Sequence, residues 1–264
     1  MSSFPRTTPR DIVEILRKRW DRGEILADLL QSGDLFPLRL RTRNARSRDL
    51  SERFERVREW VAVLRDEDRD HLGHGYEIHW REVNHRTRGR NQLPRAIFIP
   101  RREDALKLLG KTRAAAEFQR IVADVLDELP ELRDWFAAHP LTVLERADEW
   151  PRLTAILRWF RRHPRPDLYP RQLDIPGVDT KFVEARRGLL IDLLDRVLPP
   201  EAIDSSAVGV RQFEQRYGLK RRAPLIRFRV LDPAVAIAGL RDVSVPPEQF
   251  AGLSPPVARV FITE

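Results

Sequence analysis

Arginine clusters are the feature of this sequence best suited to a chemical task. They lie at residues 39–48, 86–95, 158–171 and 220–229. A guanidinium group binds phosphate oxygens through two parallel N–H donors, and aromatic residues among the arginines add surfaces for stacking. The clusters therefore predict contact with a nucleic-acid backbone. The alternative interpretation is that these arginines lie on solvated helix faces and pair with acidic neighbours.

Two further groups have residue types found in metal sites. Asp66, Asp68, Asp70 and Glu77 match the carboxylate offsets of a calcium-binding EF-hand loop, but His71 stands where that loop needs glycine. We interpret them as a solvated acidic linker. Four histidines between residues 71 and 85 are close in sequence, but they have no cysteine partners for zinc. The sequence shows no glycine-rich phosphate loop and no serine-based catalytic triad.

Composition gives a weaker indication of a nucleic-acid partner. The net charge is +8 and the pI is about 10.4, which suits a polyanion. Arginine, however, supplies 43 of the 48 basic residues, a bias that GC-rich codon usage would also produce. The absence of cysteine excludes disulfides, thiolate metal sites and a cysteine nucleophile. With no apolar run long enough for a membrane and no secretory signal, we expect a cytoplasmic protein associated with the nucleoid or with plasmids.

Apolar periodicity predicts an α+β fold that is mainly helical. Thr8, Pro9 and Asp11 have the residue types of a helix start. Alternating residues predict a β-hairpin near residues 76–99, with its turn at 86–92. Helices are also predicted at residues 24–30, 49–64, 102–109, 112–129, 131–138 and 152–162.

The helix at 152–162 is predicted to have two faces. Leu153, Ile156, Leu157 and Phe160 repeat at the spacing of a buried stripe. The other side carries basic residues, and we expect it to face DNA. These residues, with one just beyond the helix, are Arg158, Arg161, Arg162 and Arg165.

Residues 169–198 are predicted to form a short helical turn, a Pro-Gly corner and one long helix. A strand at 225–231 with arginines at alternate positions follows, then a proline-rich stretch at 232–256 that is mostly loop, and a final strand at 257–263. This order is winged-helix-like. The outer arc of the long helix is net acidic, however, so we predict a scaffold rather than a DNA-reading helix. Arg186 falls in the apolar arc and is predicted to snorkel or to form an ion pair.

Several strings resemble the JetD family, the nuclease subunits of Wadjet plasmid-defence systems, which are condensin-like bacterial complexes. They are LYPRQLDIPGVDTKFVE, FEQRYGLKRRAPLIRFRVLD, the terminal RVFITE and the upstream GYEIHWREVNHRTRGRNQLPR. The family is similar to the A subunit of topoisomerase VI. The resemblance therefore implies a winged-helix-like CAP domain followed by a metal-binding Toprim domain.

The resemblance also implies the chemistry. Glu264 matches the first metal-binding glutamate of the Toprim domain, and Mg²⁺ or Mn²⁺ is the implied cofactor of the longer protein. The later aspartate pair is missing from this sequence, so we expect no metal bound by this chain alone and no DNA cleavage. Tyr169 and Tyr217 are candidates for the tyrosine nucleophile of the topoisomerase relative, but the family resemblance favours metal-dependent hydrolysis.

These inferences give a predicted organisation of the chain. Residues 1–148 form an N-terminal domain, 149–235 a winged-helix-like CAP domain, and 236–264 a linker and the first Toprim strand. The implied partners are circular double-stranded DNA, an SMC-like ATPase, a kleisin, a small winged-helix subunit and a second copy of the chain. A non-enzymatic DNA-binding or protein-interaction module is the alternative. The predicted DNA-binding residues are Arg158, Arg161, Arg162, Arg165, Arg171, Lys181, Arg186, Lys220, Arg221 and Arg222.

Overall fold

The fold is α+β and mainly helical, as the sequence predicts. Two small antiparallel sheets accompany the helices. The winged-helix-like arrangement and the domain boundaries stay predictions. The computed structural model describes residues 6–31, 33–43, 49, 53–85, 89–221, 225–232, 237 and 239–253.

The first helix, α1 (Pro9–Asp21), begins where the sequence predicts. The Thr8 hydroxyl accepts a hydrogen bond from the Asp11 backbone N–H, and the Asp11 carboxylate accepts one from the Thr8 N–H at 2.8 Å. This capping box satisfies two backbone donors that a helix start leaves without partners. A short helix, α2 (Glu24–Ala27), follows after Gly23.

A three-stranded sheet has the order β1–β3–β2, with β1 at Leu38–Leu40, β2 at Glu77–His85 and β3 at Gly89–Ile99. The predicted hairpin is confirmed, but the prediction of a turn at 86–92 is wrong for residues 89–92. These residues pair with β2, because the ladder continues as far as His85 opposite Gly89. Pro94 has no N–H for the ladder, and the strand register shifts opposite it.

Helices make up most of the region between residues 54 and 162. The apolar stripe of the last one, α9, is fully buried as predicted: Leu153, Ile156, Leu157 and Phe160 are all inaccessible to solvent. Single 3₁₀ turns at Pro130–Leu132 and Ala147–Glu149 connect some of these helices. The helices are α3 (Phe54–Asp66), α4 (Arg69–Leu72), α5 (Arg102–Leu109), α6 (Thr112–Leu126), α7 (Arg133–Ala138), α8 (Pro140–Glu145) and α9 (Trp150–Arg162).

The single long helix predicted at 181–198 is wrong. The segment forms two helices, α10 (Thr180–Ala185) and α11 (Arg187–Val197), which meet at Arg186. Arg186 has φ −115° and ψ 13°, outside helical values, and this bend accompanies its pairing with Glu149. The short turn predicted upstream is confirmed as a 3₁₀ turn at Pro170–Gln172.

The last described segment contains more structure than predicted. The helix α12 (Phe213–Arg216) precedes β4 (Ile226–Arg229), whose arginines are exposed at alternate positions as expected. The stretch 232–256, predicted to be mostly loop, also contains β5 (Asp242–Val245) and α13 (Pro247–Ala251). Phe228 of β4 contacts Phe250 of α13, with ring centroids 5.2 Å apart. The strand predicted at 257–263 lies outside the described residues.

One contiguous core joins these elements. Its buried side chains run from Ile12 of α1 to Leu219, just after α12. They include members of α9 and α11, which pack against each other. The regions on both sides of residue 148 therefore contribute to the same packed interior.

Candidate nucleic-acid interface

A constrained turn follows α9 and positions one of the predicted DNA-binding arginines. Arg165 and Asp167 have φ values of 51° and 54°, in the left-handed region that non-glycine residues seldom adopt. Two backbone hydrogen bonds hold the turn. The N–H of Asp167 donates to the Gly218 carbonyl at 2.9 Å, and the N–H of Lys220 donates to the Leu168 carbonyl at 2.8 Å.

Gly218 allows the close approach of these two segments. Its φ is +68°, and a Cβ placed on it would lie 2.6 Å from the Arg165 Cα. A side chain at position 218 would thus collide with backbone and would strain its own conformation. The sequence requires glycine here because the turn and the loop after α12 are in direct contact.

The two segments enclose a crevice of about 380 Å³, lined by Arg165, Asp167, Gln215, Gly218, Leu219 and Arg221. We call it the Arg165 crevice. Arg165 and Arg221 are exposed, and neither has an ion-pair partner among the described residues. Lys220 is adjacent and pairs with Asp167 at 3.1 Å. The crevice thus presents exposed guanidinium groups that can bind an anion, and Arg165 also interacts electrostatically with the Asp204 carboxylate.

Two other predicted DNA-binding arginines are engaged within the protein. On α9, the Arg158 Nε donates to a Glu128 carboxylate oxygen at 2.7 Å. Arg161 donates to the Glu128 backbone carbonyl at 2.9 Å and lies 3.3 Å from the Glu131 carboxylate. These contacts join α9 to the connection that follows α6, so both arginines stabilise the packing of these segments.

Arg186 forms a two-pronged ion pair, one of the two outcomes predicted for it. Its Nε and Nη2 donate to the two carboxylate oxygens of Glu149 at 2.7 and 2.6 Å. Arg146 also reaches this carboxylate, at 3.3 Å. The hydrogen bonds from Arg186, followed by those from Arg146, hold the pKa of Glu149 below its ordinary value.

The structure therefore brings together only part of the predicted set. Arg165, Lys220 and Arg221 meet at the Arg165 crevice. Arg162, Arg171 and Lys181 are exposed and have no ion-pair partner in the described part of the chain. Arg222 and Glu264 lie outside the described residues. For every residue of the set, a role in DNA binding stays a prediction.

The two candidate tyrosines differ in accessibility. Tyr217 is fully buried, and its hydroxyl donates to Asp195 at 2.7 Å. Burial, assisted by the Asp195 carboxylate, raises its pKa. A hydroxyl that is buried and held protonated cannot attack a phosphodiester in bulk DNA. Tyr169 is 41% exposed, and in the structure it precedes the 3₁₀ turn at 170–172.

The carboxylates singled out in the sequence make local contacts. Asp68 caps α4 by accepting from the His71 N–H, and Glu77 pairs with Arg69. Within the described ranges, no group of three or more histidine, aspartate or glutamate side chains is close enough to hold a metal ion. No helix of the described residues is long and apolar enough to cross a membrane.

Sequence reasoning missed the strand β1, which begins just before the arginine cluster at 39–48. In this strand, Leu38 and Leu40 are buried on either side of exposed Arg39. The alternation of leucine and arginine at 38–41 was the available indication.

Two family profiles match the chain. The first covers residues 9–195, more than half of the chain, and is described as "Uncharacterized protein conserved in bacteria N-term (DUF3322)". The second covers residues 218–264 and is described as "Wadjet protein JetD, C-terminal". The chain belongs to the JetD family, as its sequence strings predict. A search of curated proteins found no match.

Family membership supports a JetD-type defence protein and implies work within a multi-subunit system. The JetD profile begins at Gly218, so the loop that carries Lys220 and Arg221 belongs to the matched region. The turn that carries Arg165 belongs to the region matched by the N-terminal profile. The Arg165 crevice thus lies where the two matched regions meet.

Proposed function

We propose that the chain supplies the N-terminal and CAP-like portion of a metal-dependent DNA endonuclease that cleaves circular plasmid DNA. An SMC-like ATPase, a kleisin and a small winged-helix subunit would present the DNA, and two copies of the chain would act together. In this proposal the portion contributes DNA contact, docking and dimerisation. The observation that carries the DNA contact is that Arg165 and Arg221 are both exposed in one crevice and have no ion-pair partner among the described residues.

The crevice suits a phosphodiester backbone for two physical reasons. Guanidinium groups bind phosphate oxygens bidentately, and those of Arg165 and Arg221 are not occupied by described carboxylates. The turn that holds Arg165 is fixed by backbone hydrogen bonds to the loop that carries Arg221. Less conformational freedom is therefore lost when both side chains bind one DNA strand.

In the proposal, Glu264 supplies one carboxylate for Mg²⁺ or Mn²⁺, and the metal stabilises charge on the phosphodiester oxygens during hydrolysis. Hard divalent cations take several oxygen ligands. The described residues contain no acidic group of three that could complete such a site. The metal chemistry therefore rests on the family resemblance.

Salt-dependent DNA binding tests the crevice. The affinity for a labelled 25-base-pair duplex, measured by fluorescence anisotropy from 50 to 300 mM KCl, should fall steeply with salt. Each phosphate contact contributes about 0.9 to the slope of log affinity against log salt. The double substitution Arg165→Gln with Arg221→Gln should make this slope less steep by roughly 1.8. It should also weaken binding roughly 60-fold at 0.1 M KCl.

Lys18→Gln with Arg113→Gln is the matched control, because both residues are exposed and lie on the helices α1 and α6 rather than at the crevice. It removes the same charge and should leave the slope unchanged. An equal loss of duplex affinity in the control variant would mean that the effect comes from net charge alone. That result would contradict the assignment of DNA contact to the crevice.

The nuclease part needs a separate readout. In a JetD-family protein preparation that cuts plasmid with Mn²⁺, Glu264→Gln should abolish cutting and leave duplex affinity unchanged. Full cutting by this variant would remove Glu264 from the metal site.

A protein-interaction scaffold is the second candidate. It is favoured by the engagement of Arg158, Arg161 and Arg186 with acidic residues of the same chain. A salt-independent affinity, or no duplex binding at 50 mM KCl, would support the scaffold and exclude the DNA-contact proposal.

A further inference from the structure

A second basic surface forms on the outer face of the three-stranded sheet. Strand β1 pairs with the end of β3, so that Arg39 lies opposite Phe98. The arginine clusters at 39–48 and 86–95 are far apart in sequence. This pairing brings residues of both clusters to the same edge of the sheet.

Because side chains alternate along a strand, β1 has leucines on its buried face and an arginine on its exposed face. Leu38 and Leu40 point into the core and are 7% and 4% exposed. Arg39 and Arg41 are both exposed and point the other way. Residues two apart on an extended chain are separated by about 6.8 Å, so the two guanidinium groups emerge side by side.

A cavity of about 470 Å³ opens between β1 and β3, and we call it the β1–β3 cleft. It is lined by Arg39, Leu40, Arg41, Thr42, Arg95 and Ala96, and none of these described lining residues carries a carboxylate. Arg39 and Arg41 have no ion-pair partner among the described residues. The like charges of Arg39 and Arg41 repel one another, and a concave wall concentrates their field, so an anion bound there would relieve the repulsion.

The cleft differs in this respect from the Arg165 crevice. The crevice contains Asp167, which neutralises Lys220 at 3.1 Å. No such carboxylate lies among the residues of the cleft. The cleft is therefore the more purely cationic of the two cavities.

The chemistry of the cleft favours a nucleic-acid backbone over a peptide. Peptides and protein partners usually anchor through apolar or aromatic side chains that enter a pocket. Leu40 and Ala96 are buried and offer little apolar surface. The Phe98 ring on the same face is covered by His79, with centroids 4.5 Å apart. The surface that remains consists mostly of guanidinium groups, which suit phosphate.

We propose that the β1–β3 cleft is a second DNA-binding site, which takes the phosphodiester backbone of a duplex through Arg39, Arg41 and Arg95. The inference rests on the proposed DNA-binding function but assigns a surface separate from the Arg165 crevice. The protein then holds DNA at two places, one on the N-terminal sheet and one after α9.

The test uses the complete chain and the same labelled 25-base-pair duplex. Arg39→Gln with Arg41→Gln removes two exposed charges without touching the buried leucines. We expect the slope of log affinity against log salt to fall by roughly 1.8, with the unfolding temperature unchanged. Lys18→Gln with Arg113→Gln is again the control of equal charge. Combining the cleft and crevice substitutions should lower the slope by roughly 3.6, because independent phosphate contacts add.

The outcomes separate this inference from the proposed function. A lowered slope for the cleft variant and not for the control supports the cleft, whatever the crevice variant does. A slope equal to that of the control, while the crevice variant loses affinity, overturns the cleft and leaves the crevice intact. A labelled decaglutamate peptide is a further probe. If the cleft variant loses peptide binding but keeps full duplex binding, the ligand is an acidic protein segment and the DNA assignment fails.

Discussion

The arginines around α9 and α11 and those of the Arg165 crevice have the same chemistry but different surroundings. Arg158 and Arg186 are held by Glu128 and Glu149, residues from other elements. Arg165 and Arg221 line a cavity and have no described ion-pair partner. In a chain with 43 arginines, the count and the clustering do not distinguish these two groups. The position of a carboxylate from elsewhere in the fold does.

The contrast is sharpest between Arg216 and Arg221, which are five residues apart. Arg216 donates to both Asp195 carboxylate oxygens, at 3.0 and 2.8 Å, and to the Ala207 carbonyl at 2.9 Å. Its side chain is only 16% exposed. Arg221 is exposed at the crevice. One short segment thus carries both an arginine that holds the fold together and one available to a ligand.

Gly218, between these two arginines, is the position where a substitution should have the largest effect. Gly218→Ala adds a methyl group 2.6 Å from the Arg165 Cα at a φ of +68°. We expect a loss of about 3 kcal/mol in the free energy of unfolding, from the left-handed conformation and the forced shift together. Urea denaturation followed by circular dichroism would measure it.

Gly177→Ala provides the control for this substitution. Gly177 also has positive φ, at +76°, but no atom lies within 4 Å of a Cβ there. Only the conformational cost of about 1 kcal/mol should appear. Equal losses at the two positions would show that the close packing of the turn against Gly218 is unimportant for stability.

The next largest effect should separate Arg216 from Arg221. Arg216→Ala removes the guanidinium donor from Asp195, which keeps only the Tyr217 hydroxyl, and from the Asp204 and Ala207 carbonyls, and we expect a loss of about 2–3 kcal/mol in unfolding free energy. Arg221→Ala should change it by less than about 0.5 kcal/mol. Thermal and urea denaturation of both variants checks this. Similar losses would mean that Arg221 is also part of the packed structure.

The smallest effect concerns pH. Because its folded-state pKa lies below the ordinary value of 4.5, Glu149 stays ionised in the folded protein at pH values where it is protonated in the unfolded chain. Its stabilisation is complete above that ordinary value and is lost as pH falls through the folded-state pKa. We expect Glu149→Gln to lower the Tm by about 2 °C at pH 6 and by a smaller amount at pH 3.

Glu201→Gln should leave the Tm unchanged at both pH values, because Glu201 is exposed and forms no ion pair within the described residues. A Tm difference for Glu149→Gln that stays constant from pH 6 to pH 3 would contradict an ionic contribution of Glu149.

Local features of the fold were predictable from the sequence. The helix start at Thr8 and the α9 stripe depend on residues within a few positions of one another, and both are confirmed. The alternation along β4 is confirmed for the same reason. The pairing of Arg186 is one of the two outcomes predicted from its place in an apolar arc, where an unpaired charge would be costly.

Distant pairings were not predictable in the same way. Glu149 lies 37 residues before Arg186, and Glu128 lies 30 residues before Arg158. Nothing in the local pattern identifies those partners. The Arg165 crevice likewise depends on a turn and a loop about fifty residues apart. The strands β1 and β5 have only three and four residues, so their alternation is a weak indication beside that of a longer strand.

At Arg165, the left-handed backbone lowers the stability of the folded protein, while the side chain supplies a guanidinium group to the Arg165 crevice. Glycine would occupy a φ of 51° without steric cost, whereas arginine gives up about 1 kcal/mol there. Selection for thermostability alone would therefore favour replacing Arg165, and the replacement would remove a guanidinium group from the crevice. A more heat-resistant relative with glycine or asparagine at this position would have gained its stability by losing an anion contact.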